Sequence, residues 1–380
     1  MLSTELIDEF IGWRHHLHAH PELAYQEHGT SAFVIDRLKE FGCDIYTGFA
    51  ETGVVGVLDY GPGPAIGIRA DMDALPLTEQ TGLSYASQQN GVMHACGHDG
   101  HTTIALGAAK LLASRDDFSG KLVFIFQPAE ENEGGARRML EDGLFEQHPV
   151  DAVFGLHNMP GVPVGEVWVR SGAVSASFDS FEVLFTGRGG HGAMPEFTVD
   201  PIPAAASAVL SLQTLVSRNV AALDSAVLSV CALEAGDTYN VIPDTARIKG
   251  SYRTLNPKVQ KKLRARVEEV LSGVAQGYGV EVQTQIEERY PPVVNSEREA
   301  DIVKAVVAKT QDEFTLRDEF APTMGSEDFA FFLQQRPGCF CLIGNGKDAA
   351  PLHSPHYQFE DSAIAGGVRL WTLIAEHYLA

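Results

Sequence analysis

Much is missing from this chain of 380 residues. It has no apolar run long enough to cross a bilayer, because a charge or a glycine breaks each one. It is short of positive charge: Lys and Arg number 28 against 50 Asp and Glu, a formal net charge of −22. A phosphate backbone is therefore repelled, which argues against nucleic-acid binding. The densest basic run, Lys261-Lys262-Leu263-Arg264-Ala265-Arg266, is interrupted and reads as the solvated face of a helix. Cysteine is scarce, and its count of five is odd. That argues against a disulfide framework and fits a reducing compartment. The opening stretch Met1 to Phe10 is acidic and lacks the apolar core of a secretory signal. Internal repeats and low-complexity tracts are absent too. The expectation is a cytoplasmic protein that meets neither membrane nor nucleic acid.

What is present suits a globular enzyme: 44% hydrophobic and 9% aromatic residues, enough for a packed interior. The length exceeds one ordinary core, so two domains are expected. Ser3 is placed to cap a helix to about His18, and a second helix fits Ser31 to Phe41, stopped by Gly42. Strands are predicted at 54–58, 65–69, 121–126 and 152–156, with helices at 100–114 and 135–140. This alternation predicts an α/β fold, a mixed sheet with helices on both faces. From about Val164 the pattern changes. The segments 164–169 and 180–186 alternate apolar and polar residues, as half-buried antiparallel strands do. Helices at 200–218 and 257–277 and strands at 226–232, 245–254 and 280–287 follow. Residues 178–290 therefore read as a smaller α+β domain inserted into a discontinuous one of residues 1–177 and 291–380, with Pro291-Pro292 as the return linker. The α/β pattern then resumes: a helix at 300–310, a helix capped by Ser326, a strand at 339–343 and a closing helix at 361–378.

In open α/β sheets, ligands collect beyond the carboxyl ends of the strands. Asp71 and Asp73 fall there after 65–69, Glu130 and Glu131 after 121–126, His157 after 152–156, and His353 on the loop after 339–343. Cys96 and His98 precede a helix start in Met93-His94-Ala95-Cys96-Gly97-His98-Asp99-Gly100-His101. Thiolate, imidazole and carboxylate at one crevice suit divalent transition metals such as zinc, manganese or nickel. Close, partly buried carboxylates such as Glu130 and Glu131 repel each other, and cations relieve that cost. One of the pair would bind metal and the other carry a proton; spacing leaves open which. Asp73 is placed to orient a ligand. Cys43, Cys231, Cys339 and Cys341 read as small buried hydrophobes. His15, His16, His18 and His20 lack a completing carboxylate or thiol and read as surface or orienting groups. His191, in Gly189-Gly190-His191-Gly192, sits on a flexible loop suited to closing over a substrate.

These motifs, with Gln127-Pro128-Ala129-Glu130-Glu131, Gly155-Leu156-His157 and Leu352-His353-Ser354-Pro355, resemble the metal-dependent N-acyl-amino-acid amidohydrolases. That group is the hippurate-hydrolase and auxin-conjugate-hydrolase branch of the aminoacylase and carboxypeptidase clan. The likeness runs nearly end to end. It implies two divalent ions per subunit (manganese, zinc or nickel) held by Cys96, His98, Glu131, His157 and His353, with Glu130 as general base. It implies that Asp71 replaces a histidine of the wider clan while Asp73 keeps an orienting role. The inserted segment would be a lid that also forms a homodimer or higher homo-oligomer. There His191 would hold the oxyanion, in its own or a partner subunit, and Asn240 and Arg253 would contact substrate. Glu196, and His15-His16, depart from residues common in that group and bear on substrate preference. The expected reaction is hydrolysis of a small N-acyl amino acid to a carboxylic acid and a free amino acid. A carboxypeptidase or dipeptidase with the same machinery is the alternative.

Overall fold

A computed structural model describes residues 2–131, 134–310 and 312–380. The described residues divide into two compact units. One runs to Gly172 and resumes over Val294–Ala321 and Asp328–Ala380; the other comprises Ala173–Val293 and Pro322–Glu327.

Among the described residues, the first unit is built on an eight-stranded mixed sheet. Its order is Asp44–Phe49, Gly53–Asp59, Lys121–Gln127, Ala65–Asp71, Ala152–Met159, Gly338–Gly344, Glu166–Trp168 and Thr315–Arg317. The four strands from Lys121–Gln127 to Gly338–Gly344 run parallel to one another. They are buried almost throughout, as continuous apolar runs must be when both faces are covered. Parallel pairing sets their carboxyl ends along one edge, which is where the site lies. The helix His98–Leu112 packs against this sheet and against the helices Thr4–Ala19 and Ser362–Leu379. Phe10, Ile104, Leu106, Val368 and Trp371 join the strand residues in one core.

Ser3 does cap the first helix, accepting the Leu6 N–H at 3.3 Å, and Gly42 closes the second in a left-handed conformation. Asp44–Phe49 went unread because an edge strand exposed on most of its length shows little apolar signal. Glu166–Trp168 is expected, from the alternation over 164–169, to be a half-buried antiparallel strand. It instead joins the large sheet, parallel to Thr315–Arg317 and antiparallel to Gly338–Gly344. Its alternation reflects a place near the sheet edge. Cys43, Cys339 and Cys341 are buried as expected, but Cys231 is exposed.

The second unit is a four-stranded antiparallel sheet in the order Ala226–Glu234, Thr245–Thr254, Phe178–Thr186, Glu281–Tyr290. Phe178–Thr186 buries every second residue, with Phe181, Val183 and Phe185 facing a core shared with two helices. Those helices, Pro201–Asn219 and Pro257–Tyr278, start at Asp200 and Asn256, whose side chains accept the N–H of Ile202 and Lys258. The segment 322–327 was read as part of the first domain, with Ser326 as a helix cap. It packs with this second unit: Thr323 bridges Ser175, and Gly325 accepts the Ala176 N–H at 2.9 Å. Its preference is set by tertiary contacts, which local pattern does not encode. Among the described residues, no helix is long and apolar enough to cross a membrane.

Candidate metal centre

Each strand of the parallel quartet delivers a group to the same edge. Asp71 is the last residue of Ala65–Asp71, with Asp73 two residues on. Lys121–Gln127 leads into Glu130 and Glu131. His157 lies inside Ala152–Met159, not after it, and His353 follows Gly338–Gly344 on a loop. His98 opens the helix His98–Leu112, and Gly97 before it takes φ 94°.

The structure brings Cys96, His98, Glu130, Glu131, His157 and His353 together. Candidate ligand atoms of Cys96, His98 and His157 lie within 4.8 Å of one another. The same span holds Cys96, Glu131 and His353, so Cys96 belongs to both triads. It also holds His98, Glu130 and Glu131. Cys96 Sγ is 3.3 Å from His157 Nε2, and His353 Nε2 is 3.1 Å from Glu131 Oε1. The second nitrogen of two imidazoles is fixed from behind. His98 Nδ1 lies 2.9 Å from the Asp73 carbonyl and 3.1 Å from its Oδ1, while His157 Nδ1 lies 2.7 Å from the Asn158 carbonyl. All three oxygens accept, so each Nδ1 carries a proton, and in the neutral ring each Nε2 turns its lone pair toward the cluster. The second carboxylate oxygen of Asp73 accepts the Glu131 N–H at 2.9 Å. Asp73 thus orients two members of the cluster.

Asp71 is engaged differently. Its Oδ1 meets His101 Nδ1 at 2.7 Å and its Oδ2 accepts from Arg69 Nη1 at 2.7 Å, while His98 Nε2 is 3.6 Å away. Arg69, His101, Asn158 and Tyr357 were not singled out in the sequence. The signals were there: an arginine inside an apolar strand, and His101 three residues beyond His98 on one helix. Arg69 continues to Asp328 and Gln127, all buried. Asn158 donates to the Cys96 carbonyl at 2.6 Å and accepts from the Tyr357 hydroxyl at 2.7 Å. This network fixes the Cys96-Gly97 backbone. A Cβ on Gly97 would fall 2.3 Å from Asn158 Nδ2 and 2.4 Å from the Tyr357 hydroxyl, at a φ that side chains rarely adopt. Gly97→Ala is therefore expected to destabilise the protein by roughly 2–5 kcal/mol. A thermal melt checks this; a melting temperature equal to wild type would show that the network yields.

The charge balance points the same way. Burial raises the Cys96 thiol well above its usual range, and Glu131, Glu130 and Asp71 push it further. Burial opposes the charge of His98, yet Asp71 and Asp73 raise it to about 10. Burial raises the Glu131 carboxyl, but His353 and His98 hold it below the ordinary value. Among the described residues, buried His98 Nε2 has no hydrogen-bond partner. Acids gathered around a buried thiol and an unpartnered imidazole nitrogen form a donor set that divalent transition ions fit, the ions displacing the protons.

Residues 67–377 match peptidase family M20/M25/M40. This chain belongs to that family. It is 42% identical to a hippurate hydrolase of Campylobacter jejuni, over 100% of this chain and 99% of that one. It is 40% identical to an N-acetyl-L-cysteine deacetylase of Bacillus subtilis, over 96% and 86%. A solved Bacillus subtilis structure, described as a dinuclear metal-binding peptidase of the M20 family, superposes with TM-score 0.86 at 34% identity, covering 98% of each chain.

Within this M20/M25/M40 member, the remaining sequence-predicted residues lie in the second unit. His191 is on a short strand, Gly190–His191, paired with Val241–Ile242, and not on a plain loop. Gly192 N–H donates to the Asn240 carbonyl at 2.8 Å, so His191 and Asn240 are neighbours, both exposed. The Ala193 N–H donates to His191 Nδ1 at 3.1 Å, which leaves Nε2–H as the ring's donor. Arg253 lies over the Phe178 ring, 4.4 Å from its centroid. Its Nη1 donates to the Met324 carbonyl at 3.0 Å and Ser326 Oγ at 2.9 Å, which orients the guanidinium. The N-terminal histidines are not all at the surface. His18 is buried against Asp99 at 2.8 Å and Glu79 at 3.3 Å, because Asp99 needs a partner inside the core.

Proposed function

We propose that this chain hydrolyses the amide bond of N-acyl amino acids, releasing a carboxylic acid and a free amino acid. The observation that carries this is the convergence of Cys96, His98, Glu131, His157 and His353 beside a second carboxylate, Glu130. It occurs in a chain similar over its length to a hippurate hydrolase and an N-acetyl-L-cysteine deacetylase. Those two substrates share an acylated amino acid and differ in both the acyl group and the amino acid.

Cys96, His98, Glu131, His157 and His353 would hold two divalent ions (manganese, zinc or nickel), which supply Lewis acidity toward a carbonyl and a water acidic near neutral pH. Glu130 takes the proton of the attacking water as the new C–O bond forms and the carbonyl becomes an oxyanion, then returns a proton to the leaving nitrogen as the carbonyl reforms and the amide C–N bond breaks. Asp73 keeps His98 and the Glu131 backbone in register, and Asp71, held by Arg69 and His101, braces the helix start behind them. His191 offers Nε2–H to the developing oxyanion, in its own or a partner subunit. Arg253 and Asn240 bind the amino acid's carboxylate. Residues 178–290 serve as a lid and as the contact of a homodimer. The exposed Val227 and Leu233 on the edge strand Ala226–Glu234 support such a contact. A cytoplasmic location completes the proposal.

The family also contains peptidases, so a carboxypeptidase or dipeptidase reading is tested alongside. The metal-loaded protein is assayed on hippurate, N-acetyl amino acids, unblocked dipeptides and N-acetyl-diaminopimelate. N-acyl amino acids are expected to be cleaved at least about 100-fold more efficiently than dipeptides, the discrimination expected of a site that tells an acyl group from a charged amine. Preference for dipeptides would overturn the proposal.

A further inference from the structure

Glu27 is fully buried, and it does not cap the helix His28–Phe41 that it precedes. Its Oε1 accepts the Ala129 N–H at 2.9 Å, and its Oε2 accepts the Thr52 hydroxyl at 2.6 Å. Among the described residues no cation accompanies these contacts, and burial lifts the carboxyl to about 7, with Asp73 adding to the rise. A carboxylate kept in such a place needs a reason.

The reason lies in the backbone it touches. Ala129 is a buried non-glycine residue at φ 56°, in the left-handed region, immediately before Glu130. Its carbonyl accepts the Gly135 N–H at 2.9 Å, so both of its backbone groups are tied. Ala50 and Glu51 are also left-handed, at φ 45° and 64°, and lead into Thr52. A Cβ built on Gly53 would lie 3.3 Å from Pro128 Cδ, so this turn abuts the same segment. Strained residues persist only where surroundings over-determine them, and they gather at functional sites. Here they gather around one carboxylate.

We propose that Glu27 is a positioning residue, holding Ala129 in the left-handed conformation that turns the chain out of Lys121–Gln127 and sets Glu130 and Glu131 at the metal-ligand cluster. This rests on the reading of Glu130 as the proton carrier. Sequence gives no hint of it, because Glu27 is remote from Ala129 in the chain and lies outside the ligand motifs.

The test compares E27A, E27Q and the double variant E27A/A129G with wild type and with A129G alone. The readouts are turnover, KM, bound metal by elemental analysis, melting temperature, and hydrogen exchange over the peptide containing Ala129. E27A is expected to lose about 10-fold or more in kcat with little change in KM, to bind less metal, and to exchange faster at Ala129. Glycine adopts this φ without a side-chain penalty, so E27A/A129G should recover most of the kcat of A129G. The amide of E27Q retains an acceptor for the Ala129 N–H, so its kcat should stay within a few-fold of wild type. An E27A protein with unchanged exchange and kcat, or one whose loss A129G does not recover, overturns the proposal. If E27A does not fold, E27Q decides: a natively melting E27Q with collapsed turnover overturns it, and near-normal turnover with normal exchange upholds it. If wild type cleaves no N-acyl amino acid, the functional reading fails by itself, and exchange and metal content of E27A still decide the role of Glu27.

Discussion

Glu130→Ala is expected to retain bound metal and to lose on the order of 100-fold or more in turnover. Glu130 is buried, 6% exposed, with its carboxylate within 4.8 Å of ligand atoms of His98 and Glu131. The two neighbouring glutamates divide the work by their partners. Glu131 is engaged by His353 at 3.1 Å and by Asp73 through its N–H, the posture of a ligand. Glu130 is the carboxylate proposed to move the proton. Removing it takes away a group that acts in the transition state, so kcat and kcat/KM should fall together while KM changes little. Elemental analysis beside steady-state kinetics checks this. A metal-replete variant with near-normal turnover would mean that another group is the base.

Stripping divalent ions with a chelator is expected to abolish hydrolysis, by at least about 1000-fold, and restoring them should return it. The same five side chains underlie this expectation. Cys96 is buried among acids that hold its thiol protonated, and thiolate becomes its stable form only with cations beside it. Re-addition of zinc, manganese and nickel in parallel identifies the ions that sustain turnover, and the metal-to-protein ratio should approach two. Undiminished hydrolysis by verified metal-free protein would sink the metal-dependent reading altogether.

Parts of this protein were legible residue by residue. Ser3 and Gly42 mark helix ends through a side chain and conformational freedom, so a local reading finds them. The parallel strands are apolar enough to be seen as strands, and their alternation with helices yields the mixed α/β fold. Sulfur, imidazole and carboxylate donors are uncommon enough together that Cys96, His98, Glu131, His157 and His353 stand out as a group. Short polar strands did not. Thr315–Arg317, like Asp44–Phe49, shows too little apolar pattern to announce itself.

The sequence by itself determined the family, the fold class and the kind of chemistry, because these depend on which residue types occur and on their order along the chain. Tertiary structure alone decided that Asp73 orients both His98 and Glu131, that Arg69 and His101 occupy Asp71, that residues 322–327 pack with the second unit, and that Glu27 supports the backbone before Glu130. Each joins groups between two and roughly a hundred and fifty positions apart by hydrogen bonds whose directions exist only once the sheet has set its strand ends side by side.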